Sequence, residues 1–144
     1  PPRSTLFPYT TLFRSLIVSD NEIEPLQKED IIKIFAQIYD WRNTWKYSDI
    51  KQYLTYYDKE QFKRFDGKGF EEFKRMKETI FARNERKTIV FNDINIIPYP
   101  NPEGKKMFRV TFHQDYRSDN YKFVGDKELY IELRDGKMKI LAER

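Results

Sequence analysis

FRVTFHQDY, residues 108–116, followed by the turn RSDN, is the stretch that decides the fold. Strand side chains alternate with a period of two. Phe108, Val110, Phe112, Gln114 and Tyr116 therefore share one face, and Arg109, Thr111, His113 and Asp115 share the other. The first face is apolar at one end and polar-aromatic at the other. It reads as a strand whose inner face closes a core and then lines a pocket. The sequence before it supplies helices to cover that face, and the sequence after it supplies more sheet.

Upstream, Asp20 and Asn21 are placed to begin a helix, with Pro25 in its first turn. Ile31, Ile34, Phe35, Ile38, Trp41 and Trp45 then recur at spacings of three and four, the mark of one buried helical stripe. Ser48 is read as the N-cap of a second helix, with Asp49 beside its positive end and a stripe of Ile50, Tyr53, Leu54 and Tyr57. After a loop at residues 66–69, a third helix turns Phe70, Phe73, Met76 and Ile80 inward and Lys74, Lys77 and Glu78 outward.

The pattern then changes to strands. Residues 88–97 are rich in β-branched side chains and form the first long strand. Pro98, Pro100 and Pro102 end it. A further strand spans about 121–134, with a bulge expected at Gly125. Asp135 and Gly136 both accept positive φ and suit a tight hairpin. In that hairpin Leu133 should pair with Met138, Ile131 with Ile140 and Leu129 with Ala142, which puts all six on one face. Three helices followed by about four antiparallel strands make an α+β layer. The sheet must curve around the helices, and three helices cannot cover a sheet of this width without leaving an opening. That opening is the candidate pocket.

Composition narrows the function. The 144 residues suffice for one domain, and 12 Phe and 10 Tyr supply a core although 35% of residues are charged. The absence of cysteine excludes disulfides, thiolate metal sites and a cysteine nucleophile. No run is as long and apolar as a membrane span, and Leu16, Ile17 and Val18 are too short a core for a signal peptide.

Residues 1–15, PPRSTLFPYTTLFRS, share no period with the rest of the chain and hold three of the seven prolines. Along its whole length this segment resembles a translated high-throughput sequencing adapter. It is read as artefactual or as a disordered natural tail, with residues 16–21 as a short lead-in and 22–144 as the domain. On that reading the natural sequence starts near Leu16 without an initiator Met and is a fragment of a longer protein. Setting Arg3 and Arg14 aside leaves 25 basic against 23 acidic side chains, so the net charge falls from +4 to +2. Nucleic acid is not expected as a partner.

The segments WRNTWKYSDIKQYLTYYDKEQF, FHQDYRSDNY, DKELYIEL and GKMKILAE resemble the C-terminal domain of bacterial L,D-transpeptidase-type peptidoglycan enzymes. That domain belongs to the nuclear-transport-factor-two-like, or SnoaL-like, superfamily of cone-shaped folds. Trp45, Asp49, Tyr53, Tyr57 and Phe62 fit the family's helical pattern; Gln114, Tyr116, Arg117 and Ser118 fit its Gln-any-Tyr-Arg-Ser strand. Lys127 and Glu143 fit a strand-opening lysine and a late glutamate, while Met138 departs from the preferred Trp. The resemblance covers about residues 22–144. It implies a cystatin-like cone, a bacterial cell-envelope or periplasmic location, and a non-catalytic accessory role beside a separate N-terminal domain that carries a cysteine nucleophile.

The candidate ligand-binding residues are Trp45, Tyr53, Tyr57, Arg83, Gln114, Tyr116 and Lys127. Gln114 and Tyr116 add polar groups to an apolar face, which suits either a ligand or neighbouring backbone. Trp45, Tyr53 and Tyr57 lie on stripes that serve core or pocket. Lys127 is in phase with Leu129 and Ile131, so it either snorkels outward or anchors an anion; Arg83 has the same choice. His113, the single histidine, falls on the outer face. No carboxylate pair, metal cluster or phosphate loop is visible, and no cofactor is expected. Two functions lead. One is a receptor for a peptidoglycan fragment or another small polar ligand. The other is a packing module whose outer sheet face, with Arg109, Thr111, His113, Tyr130 and Glu132, makes a homodimer or meets the catalytic domain. A SnoaL-like enzyme is a third reading; it needs an acid or histidine deep in the cone.

Overall fold

In the computed structural model, which describes residues 4–5, 16–19 and 25–144, the period-two pattern of residues 108–116 becomes a period-two pattern of burial. Phe108, Val110, Phe112, Gln114 and Tyr116 are buried and their neighbours are half-buried. This strand is the centre of a mixed sheet. The elements in chain order are β1 (Ser4–Thr5), β2 (Leu16–Ser19), α1 (Pro25–Lys46), α2 (Ile50–Thr55), β3 (Lys63–Arg64), α3 (Phe70–Ala82), β4 (Lys87–Pro98), β5 (Met107–Ser118), β6 (Lys122–Arg134) and β7 (Lys137–Glu143). Asp20 and Asn21 lie outside the described residues.

The four long strands β4 to β7 are antiparallel neighbours, as expected. The sheet is wider than four strands. At one edge β2 pairs parallel with β4 and antiparallel with β1; at the other β3 pairs parallel with β7. These additions are two to four residues long, too short to carry a readable alternation. The order β1-β2-β4-β5-β6-β7-β3 leaves the sheet open, and α1, α2 and α3 cover its concave side. The fold is an α+β cone of the cystatin-like kind. Among the described residues no helix is long and apolar enough to cross a membrane.

The core is the predicted one. Ile31, Ile34, Phe35, Ile38, Trp41 and Trp45 of α1 are all buried against the inner face of the sheet. Trp41 lies among aromatic rings, its centroid 5.8 Å from Phe91 and 6.2 Å from Tyr53.

Two local expectations need correction. Asp49, not Ser48, caps α2, and its carboxylate accepts from the Gln52 N–H at 3.2 Å. Ser48 has φ +57 and accepts instead from the Lys87 ammonium. A Ser-Asp pair offers two side-chain oxygens one residue apart, and the turn geometry chooses between them.

The second correction concerns register. The hairpin forms at Asp135 and Gly136 with φ +49 and +79, and Leu133–Met138 and Ile131–Ile140 pair as expected. Leu129, however, pairs with Glu143, while Tyr130 pairs with Ala142. β7 therefore carries one extra residue, Leu141, against β6. Gly125 stays in regular register opposite Gln114, so the bulge lies not there but at Leu141. A second bulge in β4 falls at Asp93, where φ is +55. It shifts the phase of the strand so that both Phe91 and Ile94 point inward. A bulge changes which face later residues take, and at Leu141 that change determines what the cone contains.

Candidate functional site

The cone is not filled. Between α3 and the ends of β5, β6 and β7 lies a hollow of about 460 Å³. That is within the range of small-molecule sites. The sheet wall is built from register. Lys127 opposes Phe112, Phe123 opposes Tyr116 and Gly125 opposes Gln114, so all share the concave face. Gly125 makes room there: a β-carbon at this position would lie 3.0 Å from the Phe123 ring.

Of the seven residues singled out in the sequence, six line the hollow: Trp45, Tyr53, Arg83, Gln114, Tyr116 and Lys127. Trp45 and Tyr116 stack at 5.0 Å with 14° between their planes and form one flat wall. Tyr57 does not reach it. Tyr57 follows α2, forms a bridge with Ile140 and is buried behind Tyr53. Its role is indirect. The Trp41 Nε1–H donates to the Tyr57 hydroxyl at 3.2 Å, and the Tyr57 hydroxyl donates to that of Tyr53 at 2.8 Å. This chain fixes the Tyr53 ring at the edge of the hollow. Burial raises the pKa of both phenols well above the usual value, so both stay neutral donors. Tyr57→Phe should cost about 1–3 kcal/mol in urea unfolding, because the Trp41 N–H is left buried without an acceptor.

Gln114 is only 5% exposed, and its side-chain amide makes no hydrogen bond within the described residues. Neighbouring backbone does not supply its partner. The amide faces the hollow and is open to a partner from there.

Sequence reasoning missed Lys77 and Glu143. Lys77, expected to face outward, instead lines the hollow, its Nζ 5.4 Å from the Trp45 ring centre, 5.5 Å from Phe73 and 5.8 Å from Tyr53. The signal is present in the sequence, since Lys77 stands four residues after Phe73 on the buried stripe, but its charge argues for solvent. Burial lowers its pKa; the Glu143 charge opposes this, and Arg64 and Lys127 reinforce it. Glu143 enters because of Leu141: opposite Leu129 it faces the concave side, whereas unbulged pairing would have set it beside Glu128 on the outer face. It supplies the acid inside the cone that the sequence did not reveal. Arg64 and Glu85 also line the hollow. Four cations thus face two carboxylates.

His113 lies on the outer face as expected, with Nδ1 3.1 Å from Asp126. Around it Arg109 pairs with Glu128 at 2.9 Å, and Tyr99 packs edge-on against Tyr130 at 5.6 Å. Glu132, expected on this exposed face, is buried and bound by Arg134.

Comparison with known proteins extends these observations. The family model of the Cds6 C-terminal NTF2-like domain matches residues 33–144. Among solved structures, the helical cell shape determining protein Pgp2 from Campylobacter jejuni is 49% identical, with a TM-score of 0.73, over 81% of this chain and 41% of that one. A lysine-to-alanine mutant of the same protein gives 48% and 0.78 over the same shares. The Bdellovibrio bacteriovorus protein Bd1075 shares the fold at 20% identity and a TM-score of 0.68, over 89% of this chain and 43% of that one. The chain therefore spans about two-fifths of the length of these relatives. A search of curated proteins finds no match.

Proposed function

The chain belongs to the family of Cds6 C-terminal NTF2-like domains, and from that premise we propose that it is a ligand-binding or substrate-positioning accessory domain of a cell-wall enzyme. The enzyme class is the L,D-transpeptidase or carboxypeptidase type, acting in the cell envelope on peptidoglycan. The domain itself is non-catalytic, and its catalytic partner domain precedes it in the parent protein. The likeness to a cell shape determining protein supports the connection to the wall. Glu143 is an acid in the hollow, but no hydrogen bond joins it to another described side chain. It is therefore not organised as half of an acid–base pair.

The observation that carries the reading is the Gln114 amide, which lines the polar end of an otherwise apolar wall and makes no hydrogen bond to a described residue. A polar group held beside a hollow of this size can orient a ligand.

The test is a titration of the isotope-labelled 144-residue chain with a muropeptide, a disaccharide-peptide released from peptidoglycan. Backbone signals of residues 114–118 and 127 should shift, and those of the outer face around His113 should stay. Gln114→Leu should weaken binding about tenfold while leaving stability nearly unchanged, since no described residue loses a hydrogen bond. Unchanged spectra at millimolar muropeptide would refute the proposal.

A packing role is the second reading. Val90 and Val124 are 41% and 47% exposed on the outer face and flank Asp115 of β5. Light scattering decides whether this face joins two copies; a strict monomer leaves only packing on another domain of the parent protein.

A further inference from the structure

Outside the hollow, acids and bases that come near one another pair. Arg109 meets Glu128 at 2.9 Å, Lys68 meets Asp66 at 2.9 Å, Lys105 meets Glu103 at 2.7 Å, and Arg134 is bound to both Glu132 and Asp58. Pairing occurs both on the open surface, as at Glu103, and where the carboxylate is buried, as at Asp58 and Glu132. Inside the hollow the order is reversed. Glu143, Lys77 and Lys127 line one small space, yet no ion pair or hydrogen bond joins any of the three to a described side chain. The Glu143 charge acts on Lys77, but without a hydrogen-bonded partner each charge stays incompletely compensated in a partly dehydrated cavity. The extra residue at Leu141 is the source of that arrangement, because it turns Glu143 inward.

The other charged groups of the hollow are already occupied or lie at its rim. Glu85 accepts from the Asn120 amide at 2.9 Å. The Arg64 guanidinium lies near Asp66 at 3.9 Å and against the Met76 sulfur. Arg83 is exposed at the helix end.

We propose that the hollow recognises a zwitterionic end group, with a free ammonium of the ligand held by Glu143 and a free carboxylate held by Lys77 and Lys127. Gln114 completes it, since its amide offers both a donor and an acceptor. This deepens the receptor reading above and rests on it. A purely anionic ligand would face Glu143 unpaired, and a purely cationic one would face the two lysines. A ligand that carries both charges a few bonds apart satisfies all three groups at once. A diamino acid at the free end of a short peptide stem, with its side-chain amine and its carboxylate both free, has this chemistry, and about 460 Å³ accommodates it.

The experiment compares three forms of one muropeptide whose last residue bears a free amine and a free carboxylate: unmodified, amine-acetylated and carboxylate-amidated. Isothermal titration of the 144-residue chain should show each modification weakening binding about tenfold or more, as expected for loss of a charge-assisted hydrogen bond. Glu143→Gln should abolish the difference between acetylated and free amine while keeping the amidation effect. Lys127→Met should shrink the amidation effect, with Lys77 still present, while keeping the acetylation effect. If the unmodified muropeptide binds and either modification is without effect, the zwitterion inference fails and the receptor reading survives. If the unmodified muropeptide does not bind, both fail. Because the comparison is made first on the ligand, it does not depend on any variant folding.

Discussion

Trp41→Ala is expected to destabilise the domain by about 3–5 kcal/mol, the range for deleting a large buried aromatic side chain. Several losses combine at this position. Trp41 is buried on the inner side of α1, and its ring stacks on Phe91 and Tyr53 and tilts against Trp45 at 6.0 Å. Its indole N–H starts the hydrogen-bond chain through Tyr57 to Tyr53. Removal enlarges the hollow, which Trp41 helps to line, and leaves the Tyr57 hydroxyl without its donor. Domains of this size have about 5–15 kcal/mol in total. Thermal unfolding should accordingly move down by on the order of 10–20 °C. Trp41→Phe retains most of the apolar volume and should lose less than half as much. Equal losses for the two variants would mean that the aromatic stack is not what the position contributes.

The parts of the molecule that are legible in the sequence are those where one period runs unbroken. β5 alternates from Phe108 to Tyr116 without interruption, and α1 keeps one stripe from Ile31 to Trp45; both are observed as read. Breaks in period are not legible. The bulge at Asp93 leaves a faint sign, because Phe91 and Ile94 are both apolar and out of phase for a regular strand. The bulge at Leu141 leaves none: residues 140–143 read equally well in two registers, and the choice is made by pairing with β6 and β3. Glu143 is therefore visible in the sequence as a residue but not as part of the site. Lys77 shows a different failure. Its spacing from Phe73 places it on the buried stripe, and the rule that charges seek water overrides the spacing. A cavity lined by Trp45, Tyr53 and Phe73 satisfies both, since it is interior to the helix layer and still open to solvent or ligand. Tyr57 falls outside the hollow because α2 ends at residue 55, whereas the apolar helical pattern reads on past it.

A second large effect is expected at Asp58, which no sequence pattern identifies. The chain leaves α2 at this point and joins the sheet: the Asp58 N–H donates to the Ile140 carbonyl at 3.0 Å, and Ile140 N–H to that of Tyr56 at 2.7 Å. The Asp58 carboxylate, 6% exposed, accepts from the N–H groups of Gln61 at 2.7 Å and Glu60 at 2.8 Å and binds the Arg134 guanidinium. It thus fixes the α2 exit to the β6–β7 hairpin. Asp58→Ala strands both N–H groups and leaves Arg134 with Glu132 alone. Breaking a buried pair costs about 3–5 kcal/mol, but the Arg134 side chain is 38% exposed and solvent screens part of the loss. A loss of about 2–3 kcal/mol is therefore expected at neutral pH. The pH dependence identifies the cause. Burial alone would raise the Asp58 pKa; the hydrogen bonds from Gln61, Arg134 and Glu60 and the Arg134 charge outweigh it and hold the carboxyl below its usual range. A group whose folded pKa is depressed contributes stability above its unfolded pKa of about 3.9 and loses it as pH falls through the lower folded value. The gap in urea midpoint between wild type and Asp58→Asn should then be constant from pH 8 to about 5 and narrow steadily below about 4. Asp66, Glu103 and Glu128 also have lowered pKa values, but they are present in both proteins and drop out of the difference. A gap that persists unchanged at about pH 3, below the unfolded pKa, would mean that the side chain acts by shape and not by charge.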